Sequence, residues 1–115
     1  MITLNSKMEW LEKNSDEVAK ALKAISSPVR LKILRALSNN RLSADDIRKQ
    51  VGTSRSNITQ SLIILKKNKI IAPCHNGNKI LYKITNMEIL KFITSIEVMF
   101  CAKKSKKIGS DKGAY

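Results

Sequence analysis

The sequence has few cysteines, no long hydrophobic run and no recognisable leader. Cys74 and Cys101 are its two cysteines, too few and too far apart for a disulfide framework, so we expect free thiols. Its longest apolar runs reach four or five residues, whereas a membrane-spanning helix needs about 20. The amino terminus shows neither a basic opening before an apolar block nor a small-residue cleavage site. We therefore expect a cytoplasmic protein.

Acidic residues are scarce, and their distribution is uneven. The chain has 22 lysines and arginines against 9 acids, a net charge of +13. No aspartate or glutamate occurs from Ile47 to Met87, while six bases lie in 54–85. A surface that only needs solvation can use charges of either sign. The acid-free stretch therefore predicts a nucleic-acid partner.

Apolar spacing and capping residues predict four helices in the first 67 residues. The first helix is amphipathic, spans about 18 residues and ends near Ile25. Ser27 caps the second, with Pro28 at its first position, where the missing N–H is not needed. The third spans about 43–50 and stops at Gly52, and the fourth follows the cap at Ser54.

The apolar period changes after the fourth helix. Residues 70–73 and 80–84 read as two strands, because the second run alternates apolar and polar side chains. Asn76 and Gly77 lie between them, and both tolerate the positive φ that a tight hairpin turn requires. We expect a two-stranded ribbon here.

A fifth helix is predicted beyond the ribbon. Thr85 and Glu88 form a capping box, and the apolar stripe that follows reaches about Lys103. Residues 104–115 contain two glycines and many lysines, so we expect a basic flexible tail there and a single domain over 1–103.

This element order is that of a winged helix-turn-helix, mainly α with five helices and a two-stranded wing. The second helix of such a pair enters the major groove and presents its first side chains to the bases. Gln60 suits an adenine edge, Arg55 a guanine or a phosphate, and Lys79 the backbone beside the wing. The predicted DNA-binding residues are Ser54, Arg55, Ser56, Asn57, Thr59, Gln60, Ser61, Lys66 and Lys79.

Three motifs together resemble the ArsR/SmtB family of winged-helix transcriptional repressors. They are Ser-Pro-Val-Arg-Leu-Lys-Ile-Leu at 27–34, Leu-Ser-Ala-Asp-Asp-Ile at 42–47, and Ser-x-Ser-x-Ile-Thr-Gln-x-Leu-x-x-Leu at 54–65. The resemblance covers about residues 15–102. It implies a homodimer built from the first and last helices that binds an inverted-repeat operator and releases it when an inducer arrives. Where the family has a glycine between the recognition helix and the wing, this chain has Lys69, and we expect Asn68 to take the left-handed conformation instead.

The fifth helix gives a separate reason to expect a dimer. It carries more apolar residues than one stripe over a small core needs, so a second subunit is the economical cover. Trp10 in the first helix is a candidate for the same surface, although a lone tryptophan is more often core.

The resemblance also bears on sensing. Family metal sensors use ligands that are missing here, because Ser43 and Asp45 replace a cysteine pair and the last helix has no histidine. We therefore expect no metal site and no cofactor. The thiol-sensing branch has a cysteine near the end of the last helix, which Cys101 resembles, but its second-helix cysteine is Arg35 here. Cys101 and Cys74 are candidate thiol sensors, and the alternative is that both are structural.

The leading hypothesis is thus a sequence-specific, DNA-binding transcriptional regulator that acts as a repressor. One alternative is a nonspecific or architectural nucleic-acid-binding protein without ligand sensing, and another is a protein-interaction module. The composition argues against an enzyme, because the one histidine, His75, has no acid near it in the sequence.

Overall fold

The computed structural model describes residues 4–110, with side chains described for 6–101. Its elements are α1 (Leu4–Ile25), α2 (Pro28–Leu37), β1 (Leu42–Ser43), α3 (Ala44–Val51), α4 (Arg55–Lys67), β2 (Ile71–Asn76), β3 (Lys79–Ile84) and α5 (Met87–Ser110). The predicted five helices and hairpin are confirmed. Within 4–110, no helix is long and apolar enough to span a membrane.

Serine side chains start three of the helices. The hydroxyls of Ser27, Ser43 and Ser54 each accept a hydrogen bond from the backbone N–H three residues on, at 3.3, 3.1 and 3.1 Å. Each bond satisfies one of the amides that a helix leaves unpaired at its first turn. α3 ends at Gly52, whose φ of +76° is the left-handed conformation that glycine adopts without strain. These local bonds fix α3 and α4 as a helix pair.

The sheet has three strands rather than the predicted two, in the order β1-β3-β2. β1 pairs antiparallel with β3, with Leu42 opposite Tyr82 and Ser43 opposite Leu81. Ser43 has an extended backbone because it caps α3, and this conformation lets Leu42 and Ser43 pair with β3. A strand of two residues is too short to show a period in the sequence.

The core lies between α2, α3, α4 and the base of the sheet. Its buried apolar residues are Ala24, Ile25, Ile33, Leu34, Leu37, Ile47, Ile58, Leu62, Leu65, Ile70, Ile71 and Ile93. α1 contributes the first two of these and α5 only the last. The core therefore holds the helix pair against the hairpin and leaves most of α1 and α5 outside it.

The two outer helices differ from their predicted bounds. α1 begins at Leu4 and has a kink at Asn14, whose φ of −116° and ψ of 15° are not helical. α5 continues to Ser110, past the predicted end near Lys103. Residues 104–110 of the expected tail are therefore helical, and 111–115 lie outside the described residues.

The cap of α5 was predicted one residue too early. Asn86 accepts the hydrogen bond from the Ile89 amide, at 3.0 Å. Thr85 instead donates its hydroxyl proton to the carbonyl oxygens of Lys69 and Ile70, at 2.9 and 3.1 Å. Its side chain thus ties the end of β3 to the turn before β2.

That turn also departs from the expectation. Lys69 takes the left-handed conformation, with φ +59°, whereas Asn68 has φ −89° and ψ 10°. The Asn68 side chain donates to the Ile64 carbonyl oxygen, 2.9 Å away, and closes the end of α4. The strained conformation therefore falls on the position where the family has glycine.

Candidate nucleic-acid interface

α4 has one buried side and one exposed side. Ile58, Ser61, Leu62 and Leu65 face the core. At 3.6 residues per turn, the opposite line along the helix is formed by residues 56, 60, 63 and 67. Ser56, Gln60, Ile63 and Lys67, all exposed, make up this outward line of α4.

The structure exposes eight of the nine predicted DNA-binding residues and buries one. Ser61 is only 6% exposed, because it lies on the core side of α4 between Ile58 and Leu65. It cannot reach a partner outside the protein, and its prediction as a DNA contact is wrong. The exposed residues are Ser54, Arg55, Ser56, Asn57, Thr59, Gln60, Lys66 and Lys79.

Side chains at the start of α4 fall into two groups. Ser54 accepts the capping bond, and the Asn57 amide donates to the Thr53 hydroxyl at 2.9 Å. Both side chains are therefore already engaged in hydrogen bonds at the start of α4. Ser56, Thr59 and Gln60 have no side-chain hydrogen bond within the described part of the chain, so their polar groups are available to a ligand outside it.

A cleft of about 230 Å³ separates α3 from α4, and two arginines line it. Arg48 donates to Asp45 at 3.1 Å, and Lys49 lies 3.3 Å from the same carboxylate. Hydrogen bonds from Arg48 and then Lys49 hold the pKa of Asp45 below its ordinary value. Arg55 lies on the other wall, so the cleft is lined by two guanidinium groups and by the Asp45 carboxylate that pairs with one of them.

Arg48 was missed by the sequence analysis. Its Nε is buried and has no hydrogen-bond partner among the described residues. The only available signal was its place in the acid-free segment that begins at Ile47. Nothing in the spacing of α3 indicates that it faces α4 rather than solvent.

The hairpin places Lys79 at the tip of the wing. Asn76 pairs with Lys79 across the last rung of the ribbon. Gly77 in the turn has φ +65°, which a residue with a side chain rarely adopts. Lys79, the first residue of β3, is exposed, so its ammonium group extends from the start of that strand into solvent.

A second group of exposed side chains, which we call the apolar helix face, lies on α1 and α5. Its large side chains are between 38% and 65% exposed. They are Met8, Trp10, Leu11 and Leu22 of α1, with Met87, Phe92, Val98, Met99 and Phe100 of α5. Trp10, a candidate for this surface, is 57% exposed and not part of the core.

The candidate sensor cysteines lie on different elements. Cys74 is in β2, half-buried and opposite Leu81, whereas Cys101 is exposed on α5. Both are free thiols. Arg35, at the position of the other cysteine in the thiol-sensing branch, forms an ion pair with Glu97. Thiol sensing stays a prediction for Cys101 and Cys74.

The residues described contain no group of three or more histidine, cysteine, aspartate or glutamate side chains arranged to hold a metal ion. Cys74 and His75 are neighbours in β2, and successive side chains of a strand point to opposite faces. These two side chains therefore do not converge on one ion.

Comparison with known proteins finds one matching family and close structural neighbours. Residues 27–72 match the model of the arsR family of bacterial regulatory proteins. The arsenical resistance operon repressor of Staphylococcus xylosus is 31% identical over 81% of this chain and 94% of its own length. The crystal structure of the transcriptional repressor BigR from Xylella fastidiosa has a TM-score of 0.73 and 29% identity, covering 82% of this chain and 96% of that one.

A more distant neighbour has the same architecture. It is a homodimeric winged helix-turn-helix DNA-binding domain from Mycobacterium bovis, solved by NMR. Its TM-score is 0.74 over 90% of this chain and 93% of that chain, at 18% identity. At that identity the likeness is one of fold.

Proposed function

The chain belongs to the arsR family of bacterial regulatory proteins, and on that premise we propose that it is a homodimeric repressor that reads an inverted-repeat operator. One observation carries the proposal. Ser56, Thr59 and Gln60 are exposed near the start of α4, with no partner among the described side chains, inside a segment that lacks acids. Short hydroxyl and amide side chains in this position suit hydrogen bonding to base edges in the major groove.

Within this interface the side chains have different tasks. Gln60 offers the amide that pairs with both N6 and N7 of adenine, and it is the residue we assign to base reading. Arg55 opens α4 and suits a guanine or a phosphate. Lys66 and Lys79 suit phosphates, which position the protein without reading sequence.

The apolar helix face supports the dimer. Side chains such as Trp10 and Phe100 are more than half exposed in the single chain, and large apolar side chains exposed in this number favour an interface. A second copy packed on α1 and α5 would cover it. A two-fold arrangement presents two copies of α4 to half-sites about 34 Å apart, one turn of the duplex. The fold accommodates a homodimer, as the Mycobacterium bovis domain does.

The test is a titration of the protein with duplexes carrying the operator, selected from its own promoter region, at fixed salt. Gln60→Ala should lower the preference for the operator over a duplex with one changed base pair by about 5- to 150-fold, corresponding to 1–3 kcal/mol. Affinity for random duplex should change little, because phosphate contacts remain.

Gln50→Ala is the matched control, because Gln50 is an exposed glutamine on α3 away from the outward line of α4. It should leave the preference intact. Wild-type protein that binds random duplex as tightly as any promoter fragment would support the architectural alternative instead. A partner whose affinity does not depend on salt would support a protein-interaction module.

A further inference from the structure

Four basic side chains from three helices line a second cleft, which we call the basic cleft. Lys20 and Lys23 of α1, Arg30 of α2 and Lys67 of α4 surround about 380 Å³. Its apolar wall is formed by Ala24 and Ile64, and no acidic residue lines it. The volume is within the range of about 300–1,000 Å³ that small-molecule sites occupy.

The lysines of the basic cleft are not engaged in ion pairs within residues 6–101. Lys20, Lys23 and Lys67 form no ion pair with any residue whose side chain the structure describes. Asp16 and Glu17, the nearest acids along α1, pair with neither lysine of that helix. Like charges held together in this way repel one another, and a multivalent anion would relieve that repulsion.

Arg30 gives the cleft a fixed wall. Its guanidinium donates to the carbonyl oxygen of Ala24 and, at 3.5 Å, to that of Lys23. These bonds satisfy acceptors at the end of α1 and hold α1 against the start of α2. The last turn of α1, which carries Lys23, is therefore held against α2.

The basic cleft shares no lining residue with the predicted DNA-reading side chains. Ser56, Thr59 and Gln60 do not line it, and Lys67 does. α4 is about 18 Å long from Arg55 to Lys67, at 1.5 Å per residue, so the cleft lies at the end of α4 opposite its first turn. Lys66, which we assign to a phosphate, is next to Lys67 in the chain, so duplex affinity is measured alongside the titration below.

We propose that the basic cleft binds a small, free, polyphosphorylated anion through Lys20, Lys23, Lys67 and Arg30. Ammonium and guanidinium groups are the usual protein partners of phosphate oxygens. Several phosphates are required to engage cations from three helices at once, which favours a phosphate chain over a single phosphate. The proposal goes beyond the repressor function and does not depend on it.

The test is calorimetric titration of the full chain, without DNA, with tripolyphosphate and with orthophosphate at physiological salt. Lys20→Gln/Lys23→Gln should weaken tripolyphosphate binding by at least about tenfold, as expected for two lost charge-assisted hydrogen bonds. Lys7→Gln/Lys13→Gln is the control, because it removes the same charge from exposed positions of α1 that do not line the cleft. It should change the affinity by less than about threefold. Lys67→Gln provides an independent variant on another helix.

Four outcomes would overturn the proposal. The first two are that wild type binds neither anion and that it binds orthophosphate as tightly as tripolyphosphate. Equal weakening in both double variants would mean that only net charge matters. A loss of duplex affinity in Lys20→Gln/Lys23→Gln that the control lacks would make the DNA backbone the occupant. Since the calorimetry uses no DNA, failure of operator binding would leave its result unaffected.

Discussion

The reading unit, as we call residues 28–84, and the two outer helices, α1 and α5, differ in how far they bury their large apolar side chains. In residues 28–84, Ile33, Leu34 and Leu65 are fully buried. On the outer helices, Trp10 and Phe100 are 57% and 60% exposed. The reading unit is therefore packed within one chain, whereas α1 and α5 present apolar surface that one chain does not cover.

Charge distinguishes α1 from the acid-free stretch. Residues 1–27 carry four bases and four acids, while the stretch from Ile47 to Met87 has no acid at all. A balanced helix can approach a second copy of itself without strong repulsion, whereas an acid-free surface attracts phosphate. α1 and the acid-free stretch are thus suited to different partners.

The largest expected effect tests whether the reading unit is self-contained. Ile58 and Ile63 are the same residue type on α4, 1% and 58% exposed. Ile58→Ala should lower the free energy of unfolding by about 2–5 kcal/mol, because it removes buried methyl groups and leaves a cavity. Ile63→Ala should change it by less than about 0.5 kcal/mol. Urea titration followed by circular dichroism measures both, and equal losses would mean that the core is not where the structure places it.

The elements of the reading unit could be predicted because their signals are local. Ser27, Ser43 and Ser54 cap helices where the sequence places them, and the hairpin turns at Gly77 as expected, although Asn76, the other predicted turn residue, belongs to β2. In each case the signal lies within one turn: a serine side chain accepts a bond from the amide three residues on, or a glycine adopts a positive φ without strain. Such signals need only a few neighbouring residues and no knowledge of the fold.

The features that were missed depend on distant parts of the chain. β1 exists because β3 passes beside it, and Thr85 bonds to Lys69 and Ile70 rather than to its own helix. Ser61 looks like the other small polar residues of α4 by type, but it stands three residues after Ile58 and four before Leu65 and is buried with them. Residue type predicted the candidate site, and helical spacing, which the prediction did not apply to Ser61, would have removed that residue.

The next effect concerns the apolar helix face. Phe100→Asp places a charge where we propose that the second copy packs, and burying a phenylalanine contributes about 1.5–3 kcal/mol. The dimer should dissociate at least about tenfold more readily, which sedimentation equilibrium measures. Thr94→Asp adds the same charge to α5 at a polar, exposed position and should have a smaller effect. Equal effects would mean that Phe100 of α5 does not pack in the dimer interface.

The smallest expected effect concerns the charge at the wing tip. Lys79→Gln removes one cation from each wing tip, and each lost phosphate contact lowers the dependence of log affinity on log salt by about 0.9. A dimer that places both wings on DNA should therefore lose about 1.8 in slope, with similar weakening for all sequences. Lys91→Gln removes the same charge from α5, where Lys91 lies 3.3 Å from Glu88, and should leave the slope unchanged. If both variants shifted the slope alike, DNA affinity would depend on the total charge of the protein, and the wing would not be a specific phosphate contact.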